Sequence, residues 1–457
     1  YSPRKSCNTL RSGTRCKEGK NSPGRHDRSR LTGKEMASEK QFKSIKGTKD
    51  LLPEEAARMR SAGATIHNVM NCWGYGEIRT PVFEQTELFA RSVGEESDIV
   101  SKQMYTFSDQ SGTSLTLKPE LTAPVMRAYI EHDMGRGGAS TKLYYLDTLF
   151  RQERPQKGRL RQFHQFGAEA IGSPHSEQDA EIVALVYTIL TELGIEDMTL
   201  HINSIGSDDS RNAFRQALVE FLAPYKKDLS ETSQRRLETN PLRILDSKSE
   251  DEQELLQGAP AILDYLDDED LAHYEDVKHF LERMNIPYTE NKMMVRGLDY
   301  YTRTTFEITS PHVGAQDALC GGGRYDNLIE DLGGKRTPAV GFAAGIERIL
   351  LALGEKTQST DESKNLLYVA ATTHEAREQA LTVAMILRAQ GNTVHFDALR
   401  RSLKAQLRDA NRLNASHCII IGEDEMKSKS AQVKSLSSGE QESVLIDSLA
   451  ALFMPQQ

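Results

Sequence analysis

The run Phe150 to Gln165 carries Arg151, Arg154, Lys157, Arg159 and Arg161, with one acid, Glu153, among them. Lys142 to Phe150, just before it, is rich in aromatic and aliphatic residues, and Pro155 and Gly158 mark a turn. Two strands joined by so short a connection pair antiparallel, so this stretch must form a hairpin with a cationic tip. Beyond the turn, Gln165, Gly167 and Glu169 share parity, and a strand places them on one face. An arbitrary basic cluster is a solvated loop. Here, however, polar residues continue inside the strand, where a structural hairpin would hold apolar ones. That pattern points to a site, with fixed cations for a polyphosphate at the tip and a polar groove for a small substrate at the base.

A chain of 457 residues corresponds to about three domains. Hydrophobic residues make up 38% and charged residues 27%, so a sizeable core is within reach. No apolar run approaches the roughly 18 residues a membrane-spanning helix needs. Cys7, Cys16, Cys72, Cys320 and Cys418 are scattered and contain no CxxC pair. This argues against a zinc ribbon or a disulfide framework and fits a reducing compartment, so a cytoplasmic location is expected. No histidine falls in an HxxxH or Cys/His metal spacing, so no protein-held metal is expected. The net charge of −9 excludes a globally basic nucleic-acid binder, and any such role must use local patches.

Residues 1–35 hold ten Lys and Arg against three acids, a net of +7, which leaves −16 for residues 36–457. This segment is poor in apolar residues, and a disordered basic leader over 1–40 is expected. Met36 resembles a natural start, which favours an expression-derived or upstream-translated leader. A transit peptide, which should be amphipathic, and a nucleic-acid-binding arm are the alternatives.

Pro53 with Glu54 and Glu55 opens a helix reaching about Cys72 and stopping near Gly74. Glu77 to Pro81 then reads as a strand. Residues of about 208–286 are helical in pattern and acid-rich, a small lobe set into a sheet domain spanning 41–353. Residues 354–365 form a polar linker. Over 366–457, strands at Leu366–Ala371, Thr393–Phe396 and His417–Ile421 alternate with helices at Glu375–Gln390, Ser402–Leu413 and near Val444–Phe453, which predicts an α/β unit with a parallel or mixed sheet. From Gly341 onward a helix is expected. It would put Ile346, Ile349, Leu350 and Leu353 on an apolar stripe and Gly341, Gly345 and Arg348 on another face, at a cost of about 1 kcal/mol for the interior glycine. Arg296 and Tyr301 have opposite parity, so if both line one pocket, Arg296 stands on a loop or bulge that Gly297 allows.

The basic hairpin resembles motif 2 of class II aminoacyl-tRNA synthetases, in the form found in histidyl-tRNA synthetases. Arg296 to Glu307 resembles that family's histidine-binding signature, and Gly341 to Arg348 its motif 3. Lys118 to Ala123 is similar to its amino-acid-binding segment, with Leu121 where many members carry glycine. Gly322 to Asp326 matches another of its elements. The order and spacing agree from about Ile45 to the C-terminus.

The resemblance implies an α+β class II catalytic domain built on an antiparallel sheet with flanking helices. It further implies a helical insertion over the tRNA acceptor stem, a C-terminal α/β anticodon-binding domain, and a homodimer formed through the 53–81 region. It implies ligation of L-histidine to tRNA(His) through a histidyl-adenylate made from ATP, with Mg2+ arriving with ATP. A non-catalytic regulatory subunit of histidine biosynthesis is the alternative, and such proteins lack the anticodon domain. Arg151 would meet the α-phosphate, Arg296 the reacting carboxylate and α-phosphate, and Arg348 the outer phosphates. Arg151, Glu153, Arg159 and Arg348 would surround ATP. Glu120, Thr122 and Gln165 have the chemistry to hold an α-ammonium group, and Glu169 to accept from an imidazole N–H. Tyr301 and Tyr325 would face the histidine side. Gln156 and Arg161 on the tip would touch the tRNA acceptor end. The glycines 321–323 lack a P-loop ending and are read as admitting close approach of adenosine or histidine.

Overall fold

A computed structural model of the chain describes residues 42–94, 97, 99–247, 249–295, 298, 300–314, 317–354 and 366–454. The expected leader, Arg296, and residues 355–365 of the expected linker lie outside the described residues. Ile45–Gln457 forms one unit by its internal contacts.

The hairpin organises the larger sheet. Strands Thr141–Phe150 and Gln162–Ile171 pair antiparallel from Thr141 opposite Ile171 to Phe150 opposite Gln162. Gly158 adopts φ +74° in the tip, in the left-handed region that glycine takes without strain. Outward from the second hairpin strand follow Ala339–Gly345, Ala318–Arg324, Thr302–Thr309 and Thr199–Ser204, each antiparallel to its neighbour. Two short strands, Gly76–Glu77 and Thr289–Glu290, close the edges in parallel. The strand expected over Glu77 to Pro81 is thus reduced to Gly76–Glu77.

Gly341 does not begin a helix. Ala339–Gly345 is a central strand, with Gly341 opposite Glu169 and Gly345 opposite Gln165, and the helix is Ile346–Leu353. Two glycines within five residues weaken a helix, while sheet partners on both sides satisfy this segment's backbone. The apolar stripe expected on the helix survives in shortened form, with Ile346, Ile349 and Leu353 buried.

The helix Pro53–Cys72 forms as expected, with proline and acids in its first turn and Ala62, Ile66 and Met70 buried. It joins the long helix Ser176–Glu192 over the apolar side of the sheet, where Ile182, Val183, Leu185 and Val186 are fully enclosed beside Phe166, Phe306 and Phe342. Between the strands Thr199–Ser204 and Thr302–Thr309 the chain leaves the sheet into the helices Asp208–Leu222, Glu231–Thr239, Glu250–Leu256 and Asp268–Arg283. Those two strands pair with each other, so this helical insertion departs from and returns to neighbouring positions.

Residues 366–454 carry their own five-stranded sheet, ordered Val394–Phe396, Leu367–Ala371, His417–Ile421, Ser430–Ser435, Gln441–Leu445. The first three strands are parallel and the last two antiparallel. The helix expected near Val444–Phe453 is corrected: Val444 lies in the strand Gln441–Leu445, and the α-helix is only Leu449–Leu452. Gly439, at φ +79°, turns the preceding hairpin, and that turn decides the register of the segment that follows it.

A buried ion pair ties the long helix to the sheet. Arg324, fully enclosed, donates to Asp179 and to the carbonyls of Ser173 (2.9 Å) and His175 (3.1 Å). Asp179 also accepts from Thr304 Oγ1 at 2.6 Å and stands 2.8 Å from His273 Nε2 on the insertion's last helix. Burial opposes the Asp179 charge, but the Arg324 guanidinium and the His273 hydrogen bond outweigh it and hold the carboxyl below its ordinary range. Among the described residues, removing Asp179 leaves the enclosed Arg324 with only the Asp326 carboxylate, at 3.1 Å, as counter-charge. Asp179→Ala is therefore expected to lose about 3–5 kcal/mol of stability, read as a lower urea midpoint, and a midpoint within error of the parent would refute this.

Candidate active site

The hairpin, the glycine-bearing strands and the insertion enclose a cavity of about 780 Å³. Arg151, Arg159 and Arg348 all line it. Arg151 follows directly on the first hairpin strand. Its Nε donates to the Pro119 carbonyl at 2.8 Å, and its guanidinium lies 5.3 Å from the Phe163 ring centroid. No ion pair joins it to Glu153 at close range among the described residues. Glu153 instead sits 3.3 Å from Arg159. Arg348 lies in the first turn of the helix Ile346–Leu353. Its Nε donates to the Gly158 carbonyl at 3.1 Å and its Nη1 to the Ala318 carbonyl at 2.9 Å, so the helix holds the hairpin tip.

Burial lowers the pKa of Arg151. Glu153 and Glu120 oppose that shift, while Arg348 and Arg159 add to it. Arg348 is lowered likewise by burial and Arg159, against Glu153, Glu307 and Asp317. Three guanidiniums on one cavity wall, set among carboxylates, offer fixed donors to a polyphosphate.

At the other end of the cavity the groups are polar and aromatic. Glu120 is buried and accepts from the backbone N–H of Thr122 (2.8 Å) and of Ala123 (3.0 Å), at the start of the helix Thr122–Glu131. Burial raises its pKa despite those bonds and the nearby Arg151. Thr122, Gln165, Tyr301 and Tyr325 line the cavity with it. The rings of Tyr300, Tyr301 and Tyr325 cluster, with centroids 4.8–6.3 Å apart.

Glu169 stands behind this wall. Its Oε1 accepts from Thr122 Oγ1 (2.9 Å) and the Tyr145 hydroxyl (3.0 Å), and its Oε2 accepts from the Tyr325 hydroxyl. Burial raises its pKa from 4.5 to about 8, with Glu120 adding to the rise, although the three hydroxyls favour the charged form. A Cβ on Gly341 would fall 1.8 Å from Glu169 Oε2, so only glycine leaves room for this carboxylate.

Gly321 lines the cavity, but the close approach that Gly322 and Gly323 allow is between strands: added Cβ atoms would meet the Gly341 and Thr304 carbonyls at 2.3 and 2.4 Å. Gln156 and Arg161 stand outside the cavity lining. Gln156 bridges to Arg159 in the tip, and the Arg161 N–H donates to the Gly47 carbonyl at 2.7 Å. Three contributions were missed from sequence. Tyr145 and Tyr300 look like ordinary core aromatics, and Ser230, Arg236 and Arg243 of the insertion line the cavity although they lie far from every motif. The parity of Tyr145 with Leu143 and Asp147 was the only available signal for the first, and none existed for the insertion residues.

A family model described as histidyl-tRNA synthetase matches residues 47–349, and one described as an anticodon binding domain matches 364–454. The chain belongs to the histidyl-tRNA synthetase family. A histidine–tRNA ligase of Chloroherpeton thalassium is 48% identical over 88% of this chain and 95% of its own length. One from Geobacillus thermodenitrificans is 46% identical over 90% and 98%. The structure of apo histidyl-tRNA synthetase from S. aureus, 39% identical, matches with a TM-score of 0.77 over 91% of this chain and all of that one. In this family's terms the fold is the class II catalytic domain on an antiparallel-rich sheet, joined to an anticodon-binding domain with its own sheet.

The raised pKa of Glu169 carries a pH signature. A proton bound more tightly in the folded than the unfolded state stabilises fully below pH 4.5, and that stabilisation is lost as pH rises through about 8. The thermal midpoint of Glu169→Gln is therefore expected to gain on the parent's between pH 5 and 9, and a difference independent of pH would refute the assignment.

Proposed function

We propose that this protein ligates L-histidine to tRNA(His), forming histidyl-adenylate from histidine and ATP and then transferring histidine to the terminal ribose. The convergence of Arg151, Arg159 and Arg348 on one cavity that also holds a polar, tyrosine-walled end carries this reading. Attack of a carboxylate on the α-phosphate brings two anions together and builds negative charge on the phosphoryl oxygens, which preorganised guanidiniums stabilise. Arg151 meets the α-phosphate, and Arg348, Arg159 and Glu153 frame the rest of ATP. Arg296 is assigned to the reacting carboxylate on its place in the signature.

Mg2+ enters with ATP as part of the substrate. Glu307 and Asp317 line the cavity beside Arg348 and are hard oxygen donors suited to it. The ion shields phosphate charge. Glu120, Thr122 and Gln165 receive the α-ammonium group. Glu169 acts on the imidazole end together with Tyr325 and Tyr301. Because its proton is held up to about pH 8, it is able to donate as well as accept through that hydroxyl network.

The regulatory-subunit alternative is disfavoured by the anticodon-binding match and by ligases nearly half identical over most of the chain. A homodimer is supported by exposed Val82, Phe83 and Phe107 at the three-stranded sheet of Phe83–Gln85, Ser114–Leu117 and Tyr105–Ser108. No helix among the described residues is long and apolar enough to cross a membrane. The cysteines are scattered and contain no CxxC pair, which supports a reducing, cytoplasmic setting. The anticodon-binding domain serves tRNA selection.

Arg151→Ala is expected to cut histidine-dependent ATP–pyrophosphate exchange by about two to three orders of magnitude, the usual loss for one charge-stabilising donor. Near-normal exchange in that variant would remove the central assignment. Gln156 and Arg161 are proposed to touch the tRNA acceptor end. Arg161→Ala should slow single-turnover transfer or raise the tRNA KM, with a shallower salt dependence and intact exchange. An unchanged transfer step and tRNA KM would argue against it.

A further inference from the structure

Both ends of the helical insertion grip the chain beside the tyrosine wall. Tyr301 immediately precedes the strand Thr302–Thr309, and its carbonyl accepts from Arg211 Nη1 at 2.9 Å, from the insertion's first helix. Two residues later Arg303 has φ +48°, the left-handed region that a long L side chain avoids. The kink coincides with a register break on the neighbouring strand, where Gly323 faces Thr305 but Arg324 faces Thr302.

Arg303 is held there on every side. Its N–H donates to the Gly206 carbonyl at 2.7 Å, and its carbonyl accepts from the Ile205 N–H at 2.8 Å. Its Nε donates to Asp270 Oδ1 at 2.9 Å. Asp270 Oδ2 accepts from the Ser207 N–H and the Ser210 hydroxyl, each at 2.7 Å. Ser207 precedes the first helix of the insertion and Asp270 lies in its last, so one buried carboxylate ties both ends of the insertion to residue 303. Burial works against the Asp270 charge, but the bonds from Ser207, Ser210 and Arg303 keep its carboxyl below the ordinary range. Neither Asp270 nor Arg303 lines the main cavity.

We infer that Asp270 and Arg303 are positioning residues for the amino-acid wall. By holding residue 303 in the left-handed conformation they set where Tyr301 stands, so the amino-acid affinity of the site follows the seating of the helical insertion. This rests on the reading of Tyr301 as part of the amino-acid pocket.

The test compares Arg303→Gly with Arg303→Val in the full chain. Both remove the guanidinium and its ion pairs, but only glycine tolerates the backbone conformation. The histidine KM in ATP–pyrophosphate exchange should be about tenfold or more higher for the valine variant than for the glycine variant, given the left-handed penalty for a side chain, while the ATP KM agrees within about twofold. Asp270→Asn should raise the histidine KM and speed deuterium uptake at the amides of Tyr301 to Thr305. Equal histidine KM values for the two Arg303 variants would overturn the inference, as would faster uptake in Asp270→Asn with a parental KM. If the valine variant does not fold, Arg303→Ala against Arg303→Gly gives the same contrast in a smaller step. A parent chain without histidine-dependent exchange would defeat the amino-acid reading itself. The uptake comparison would then still decide whether the clamp exists.

Discussion

The Glu169 carboxylate, buried without a cation among its hydrogen-bond partners, is the constraint around which the site is arranged. Its partners are three hydroxyls, from Thr122, Tyr145 and Tyr325, and each comes from a different element. A group this far from water needs all of them. Gly341 must lack a side chain to admit it, and Tyr325 must follow the strand that Arg324 anchors to Asp179. One acid in the second hairpin strand thereby fixes a helix start, two neighbouring strands and a tyrosine ring. It also gives the polar end of the cavity a proton that stays in place up to about pH 8.

The opposite end is built on the reverse principle. Arg151, Arg159 and Arg348 are brought together on one cavity wall among Glu153, Glu307 and Asp317, and burial pulls the pKa of Arg151 and Arg348 down. Backbone carbonyls of Pro119, Gly158 and Ala318 orient the guanidiniums without cancelling their charge. A cavity with converging guanidiniums at one end and hydroxyls, amide and carboxylates at the other suits a reaction joining a nucleoside triphosphate to a zwitterion. The charge that develops during adenylyl transfer then meets donors that need no reorganisation.

Local patterns made much of this legible. Turn residues at Pro155 and Gly158, strand-like flanks and shared parity of Gln165, Gly167 and Glu169 were enough to derive the hairpin and its two-ended chemistry. Pro53 and its acids marked the first helix, and the alternation after residue 366 marked a separate mixed sheet. The reading failed where sheet pairing overrode a local pattern. Gly341 to Gly345 carries helical spacing to Arg348, yet the segment is a strand because it has partners on both sides, and its small residues leave space for Glu169. The strand Gln441–Leu445 was hidden for the same reason, since its only claim to be a strand is its pairing with Ser430–Ser435.

By itself the sequence determined the kinds of group present and their local geometry: a cationic turn, an acid four positions beyond a glutamine on the same strand face, a helix start, and the order of motifs that marks the family. These follow from short-range sterics and periodicity, which act within a few residues. Only the tertiary structure decided that Glu169 stands behind the cavity and holds its wall, that Glu120 bonds a helix start, and that Ser230, Arg236 and Arg243 of a distant insertion complete the enclosure. It also decided that Arg303 adopts a conformation its side chain disfavours. Each of these depends on which buried donors meet which acceptors across the sheet, and that is settled by long-range packing and by the cost of leaving a buried polar group unpaired.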